Sequence, residues 1–116
     1  MKRKTFEANL KNLNKMLAWL GVDKKMRLAC EEAIVNIIEH SYLGKGGKIE
    51  LEVAKEDGEV MVKIIDQGPP FNPLTHTGKK KEIGGAGLLL MKGYVEKILY
   101  ERVKGKNILT FIDFSQ

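Results

Sequence analysis

Leu28-Ala-Cys-Glu-Glu-Ala-Ile-Val-Asn-Ile-Ile-Glu-His-Ser-Tyr42 reads as one amphipathic helix. Its apolar residues Leu28, Ala29, Ala33, Ile34, Ile37 and Ile38 recur at helical spacing and form a single stripe. Glu32, Asn36 and His40 stand four residues apart, so they make a row along one side of that helix. Arg27 and Glu31, at i,i+4 pairing distance on the other side, are an ordinary solvent-facing pair. A carboxylate, a carboxamide and an imidazole flanked by apolar residues suit the lining of a site. A carboxylate one turn from a neutral oxygen donor can position a hydroxyl or a water beside a hard cation. The same row also fits a solvated stripe on a helix, and two later segments weigh between these readings.

The 116 residues are expected to form one domain, 1–116, large enough for a core and too small for two. Hydrophobic residues make up 43% and charged residues 30%, the balance of a soluble globular chain. No apolar run approaches the length of a membrane span, and no apolar signal core lies near Met1. The lone Cys30 sits among apolar helical positions and reads as a reduced core residue, so a cytoplasmic setting is expected. One cysteine and two distant histidines do not make a structural zinc site. The net charge of +5 is spread from Lys2 to Lys106, with clusters only at Lys2-Arg3-Lys4 and Lys79-Lys80-Lys81. Neither a basic stripe nor an aromatic platform is present, so nucleic acid is not the expected partner. A polyanionic small ligand or an acidic protein fits the charge.

Outward from the helix, residues 2–8 read as a short edge strand around Phe6. Asn9 caps a helix that carries Leu10, Leu13, Leu17 and Leu20, and Gly21 ends it. Asp23 caps the next helix, which ends by Leu43-Gly44. Residues 48–54 alternate, with Ile49, Leu51 and Val53 on one face, as in a half-buried strand. Asp57-Gly58 signals a hairpin. Val60–Ile65 is apolar on both faces apart from Lys63, so it belongs at the centre of a sheet. Residues 68–78 read as loop, 87–94 as helix, and 95–103 with 107–114 as a second hairpin around Lys104-Gly105-Lys106. Helices on one face of a mostly antiparallel sheet make this a two-layer α+β sandwich.

The first later segment is Asp66-Gln67-Gly68-Pro69-Pro70-Phe71. A carboxylate leaving the end of an apolar strand is costly to bury unless something donates to it, and a purine amino group is such a donor. Gly68 lets a flat ring approach the backbone. An Asp that merely starts a turn is the plainer reading. The second segment is Ile83-Gly84-Gly85-Ala86-Gly87-Leu88. Glycines opening a helix leave N–H groups free for phosphate, although glycines that only permit close packing look the same. The segment is neither a Walker loop nor a Rossmann fingerprint.

Taken in order, Glu-x-x-x-Asn on a helix, Asp-x-Gly after a strand and Gly-x-Gly-Leu opening a helix resemble the fold of gyrase-type and histidine-kinase-type ATPases. Within that superfamily the chain resembles the anti-sigma factor serine/threonine-protein kinases, on Glu32-Ala33-Ile34-Val35-Asn36 continuing to His40-Ser41-Tyr42. The resemblance covers about residues 6–114. It implies ATP and Mg²⁺ as cofactors, with Asn36 as the magnesium ligand and Glu32 as the residue that activates the attacking hydroxyl. It also implies that Asp66 holds the adenine amino group, with Gly68 beside the ring, and that Gly85 and Gly87 contact phosphate. His40 matches the pattern without an assigned role; a structural hydrogen bond is expected of it. Pro70 stands where many superfamily members have a second glycine and has no N–H to offer, so no nucleotide contact is expected there. A short lid is expected from about 73 to 84. The activity implied is that of an anti-sigma factor that phosphorylates a serine or threonine on an antagonist, an anti-anti-sigma protein. A sigma factor is the second partner, and a homodimer the common assembly. The alternative is an ATP-gated protein-binding module of the same fold without phosphoryl transfer. A scaffold has no need of both Glu32 and Asn36, which favours the kinase.

Overall fold

The computed structural model describes residues 1–70 and 93–114. Strand β1 (Lys2–Glu7) leads through a 3₁₀ turn (Leu10–Asn12) into helix α1 (Leu13–Leu20). Helix α2 (Lys24–Asn36) runs on into a π-helical turn (Ile37–Ser41). Strands β2 (Lys48–Glu56), β3 (Glu59–Asp66), β4 (Lys97–Val103) and β5 (Lys106–Phe114) complete the described chain. The sheet order is β1-β2-β3-β5-β4, every pairing being antiparallel, with β3 at its centre as its two-sided apolar pattern requires. The helices pack on one face, which is the two-layer α+β architecture expected.

Both hairpin turns follow from local chemistry. Asp57 and Gly58 have φ of 52° and 80°, and Lys104 and Gly105 have 49° and 80°. Two successive left-handed residues match the twist of the flanking strands, which is why a glycine stands second in each. The second turn is thus Lys104-Gly105, and Lys106 already pairs with Val103.

Side chains at alternate positions reach the helical layer in three rows across the sheet. Val53, Val62, Phe111 and Ile98 form one row, and Leu51, Ile64, Leu109 and Tyr100 the next. The third is Ile49, Asp66, Asn107 and Arg102, where the apolar floor turns polar at one end. From above, Met16, Leu17 and Leu20 of α1 and Met26, Ala29, Cys30, Ala33 and Ile34 of α2 close the core. Leu28 is only half-buried, and Cys30 is fully buried as expected.

Two helical expectations change. Asn9 does cap, accepting from the Asn12 N–H, but it caps the 3₁₀ turn and leaves Leu10 exposed rather than on the buried stripe. Arg27 and Glu31 form no ion pair among the described residues. Gly21 (φ 63°) ends α1 and Asp23 accepts from Met26 N–H at the start of α2, both as expected. The loop beyond Pro70 and most of the helix expected over 87–94 lie outside the described residues; Gly93 and Tyr94 are helical.

Candidate functional site

Asp66 ends β3 on the helix-facing side and is 4% exposed. Its cost of burial is met by three donors that converge on Oδ1. These are Gly68 N–H at 2.8 Å, Asn107 Nδ2 at 3.0 Å and Ser41 Oγ at 3.2 Å. Hydrogen bonds to a buried carboxylate are each stronger than neutral ones, and together they hold its plane. Among the described residues no donor lies on Oδ2, which is left as the acceptor edge.

Ser41 reaches Asp66 because the helix changes pitch. Tyr42 N–H donates to Ile37 O at 2.9 Å, five residues back, in place of an α-helical bond. In a continuous α-helix Ser41 would stand about 140° round the axis from Asn36. The wider π turn draws residues five apart toward one side, so the helix that carries Asn36 touches Asp66 through Ser41. The next residue does the same for the loop. Tyr42 OH donates to Lys48 O at 2.6 Å and accepts from Gln67 N–H at 2.8 Å. Burial raises its phenol pKa and the nearby Asp66 charge adds to this, with the Gln67 bond opposing, so it stays protonated.

Gly68 has a nearer reason to be glycine than room for a ring. A Cβ there would lie 2.0 Å from Ser41 Oγ. The place of its missing side chain is taken by the helix end.

Glu32 and Asn36 are half-buried at the margin of the α2 stripe, and neither has a hydrogen-bond or ion-pair partner among the described residues. His40, in the π turn, is half-buried too, and the structural hydrogen bond expected of it is absent among the described residues. No group of three His, Cys, Asp or Glu among the described residues is placed to hold a metal alone. The donor set at Asn36 suits magnesium, which takes one or two protein oxygens and fills its shell with phosphate and water. Gly85, Gly87, the Lys79–Lys81 run and the lid lie outside the described residues.

Tyr100, Arg102 and Asn107 were not singled out from sequence, and Ser41 and Tyr42 were read only as part of the helix motif. Asn107 carried a signal, since it is a polar residue at an inward position of a strand that continues Leu109 and Phe111.

A model of the histidine kinase-like ATPase domain matches residues 3–112, which span both the helix row and the Asp66 turn. The chain belongs to that family. Among curated relatives of this ATPase-family chain, the anti-sigma F factor of Clostridium acetobutylicum is 30% identical over 88 residues, 70% of this chain and 62% of the relative. The serine/threonine-protein kinase BtrW of Bordetella bronchiseptica is 30% identical over 98 residues, 78% of this chain and 69% of that protein. The matched part thus spans less than two thirds of the anti-sigma F factor. The RsbU and RsbW domains of a Mycobacterium tuberculosis protein superpose with a TM-score of 0.62 at 19% identity, over 98% of this chain and 32% of that one. The catalytic domain of histidine kinase ThkA gives 0.58 at 17% identity, over 99% and 97%. These two share the fold. No helix among the described residues is long and apolar enough to cross a membrane.

Proposed function

We propose that this chain binds ATP with magnesium and acts as an anti-sigma factor that phosphorylates a serine or threonine on an antagonist protein. The carrying observation is the pair Glu32 and Asn36, half-buried and without a partner among the described residues, on a helix whose far end is tied to the buried Asp66. A purely structural helix gains nothing by half-desolvating a carboxylate and a carboxamide that no other described residue engages. The relatives support the reading by name, one set as anti-sigma F factors and one as a serine/threonine kinase.

In this reading Asp66 Oδ2 accepts from the amino group of adenine, and Asn36 offers its carboxamide oxygen to the metal. Mg-ATP held there would supply the γ-phosphoryl group and the charge that balances its oxygens. Glu32 would orient the acceptor hydroxyl and take its proton, with the γ-phosphoryl group passing to that oxygen and ADP as the leaving group. Gly85 and Gly87 are proposed as the phosphate-contacting glycines, a sigma factor as the second partner and a homodimer as the assembly.

The test is a pull-down from lysate with and without ATP·Mg²⁺, followed by phosphosite mapping on the recovered protein. A serine or threonine phosphorylated only with wild-type protein and ATP supports the kinase. A partner gained or lost with ATP but never phosphorylated makes the chain an ATP-gated binding module.

A further inference from the structure

We infer that Asn107 is a positioning residue for Asp66, oriented by Tyr100 and Arg102, and that it sets the discrimination between a base with an exocyclic amino group and one with a carbonyl. The inference rests on the reading that a purine lies against Asp66, and it adds how that carboxylate is kept selective.

The amide of Asn107 has two chemically different ends, and its surroundings assign each of them. Tyr100 OH donates to Oδ1, as does Arg102 Nη1 at 3.2 Å. Two donors on one atom fix it as the oxygen, so Nδ2 must be the end that faces inward. From there Nδ2 donates to Asp66 Oδ1 at 3.0 Å and to Pro69 O at 2.9 Å. Both amide hydrogens are used and the orientation is closed. Asn107 is 4% exposed, so a flipped amide would face two donors with a donor and Asp66 with an acceptor, in a place water does not relieve.

The same cluster holds the turn. Arg102 Nη1 also donates to Gly68 O at 2.7 Å, and Asn107 to Pro69 O. Asp66 and the Gly68-Pro69 backbone are thereby fixed relative to each other by side chains from β4 and β5. With its donors gathered on Oδ1, the carboxylate keeps Oδ2 as an acceptor edge. Such a carboxylate welcomes an amino group and rejects a carbonyl oxygen. A site of this kind discriminates strongly because the wrong group leaves buried polar atoms facing like atoms.

ATP and ITP differ in the base at the 6-position, amino against carbonyl, with the adjoining ring nitrogen protonated in ITP. Binding of both, with magnesium, is measured by calorimetry on wild type, Asn107→Asp and Arg102→Met. Wild type should prefer ATP. In Asn107→Asp, Tyr100 and Arg102 still satisfy the new carboxylate, but its inner oxygen faces Asp66. Two carboxylates this close repel, and Asp66 loses the donor that held its plane, so Oδ2 no longer meets the amino group squarely. The ATP:ITP ratio should fall about ten- to a hundredfold, through loss of ATP affinity with little change in ITP. Arg102→Met, at an exposed edge-strand position, should lower the ratio severalfold without unfolding the chain, and it carries the test where Asn107→Asp fails to fold. A purely structural role for the cluster weakens both nucleotides together and leaves the ratio unchanged in both variants, which overturns the inference. Wild-type protein that binds neither nucleotide overturns the nucleotide reading instead.

Discussion

Replacing Gly68 by alanine probes how the helix end and the strand end are fitted together. The added Cβ would lie 2.0 Å from Ser41 Oγ, 3.1 Å from Asp66 Oδ1 and 3.2 Å from Ser41 Cβ. Ser41 is buried and short, and its hydroxyl is held by Asp66, so it cannot swing aside without losing that bond. A hydrogen bond to a charged group contributes about 1.5–3 kcal/mol. Overpacking a closed site costs about 1–3 kcal/mol more. Gly68→Ala should therefore destabilise the fold by roughly 2.5–6 kcal/mol. Ser41→Ala alone gives up the hydrogen bond, about 1.5–3 kcal/mol. It also removes the atom at 2.0 Å, leaving contacts of 3.1 and 3.2 Å that small shifts relieve. In the double variant the bond is lost once rather than twice. The two changes should fall short of additivity by about 1.5–3 kcal/mol. Urea unfolding of the four proteins closes the cycle, provided that the slopes agree. Additivity within about 0.5 kcal/mol would refute the reasoning, because Ser41 and Gly68 would then not share one space.

Four further outcomes are expected. Asp66→Asn keeps an oxygen for Ser41, Gly68 and Asn107 but presents an N–H outward, so ATP affinity should fall about ten- to a hundredfold while GTP binding changes little; equal ATP binding by both proteins in calorimetry sinks the adenine assignment. Asn36→Ala should weaken ATP binding with Mg²⁺ and leave metal-free binding nearly as it was, and a loss of equal size in EDTA would point to packing instead. Glu32→Gln should keep ATP affinity and partner capture while phosphoryl transfer falls by ~10²–10⁴-fold in a radiolabel assay, with Glu31→Gln as the control that does little. Burial pushes the Cys30 thiol far above its ordinary 9.0 and the Tyr42 phenol above 10.0. The folded chain then holds both protons more tightly than the unfolded one. Stability should be level below about pH 8 and decline as pH rises past 9, a decline that Cys30→Ala flattens at its onset; identical thermal midpoints across pH for both proteins would clear the thiol of any part.

The elements were legible where local chemistry decides them. Asp57-Gly58, Asp23, Gly21 and the alternation from Ile49 to Val53 each act within a few residues, and each element formed where expected. Asp66 was legible for the same reason, as a carboxylate at the end of an apolar run. Its donors were not, because they arrive by geometry that no short window contains. Asn107 stands opposite Asp66 only through the register of β3 and β5. Ser41 reaches Asp66 only because the helix widens, and Ile37-Ile38 carries the same apolar pattern in an α-helix as in a π turn. Leu10 failed differently: its spacing fitted the stripe, but the 3₁₀ turn places it outside.

The bonds from Ser41 and Asn107 to Asp66 span 25 and 41 residues of chain. The site therefore needs the chain from Ser41 to Asn107 brought together, and no early hairpin or lone helix can preview it. Loops of that length must close before their contacts form, which places assembly of the site late in folding. A ligand held there has no affinity for a half-made chain, so its binding free energy falls wholly on the native state. At a hundred times its dissociation constant that is about 2.7 kcal/mol of added stability. For a protein whose margin is only a few times larger, ligand supply would then govern how long the chain survives proteolysis.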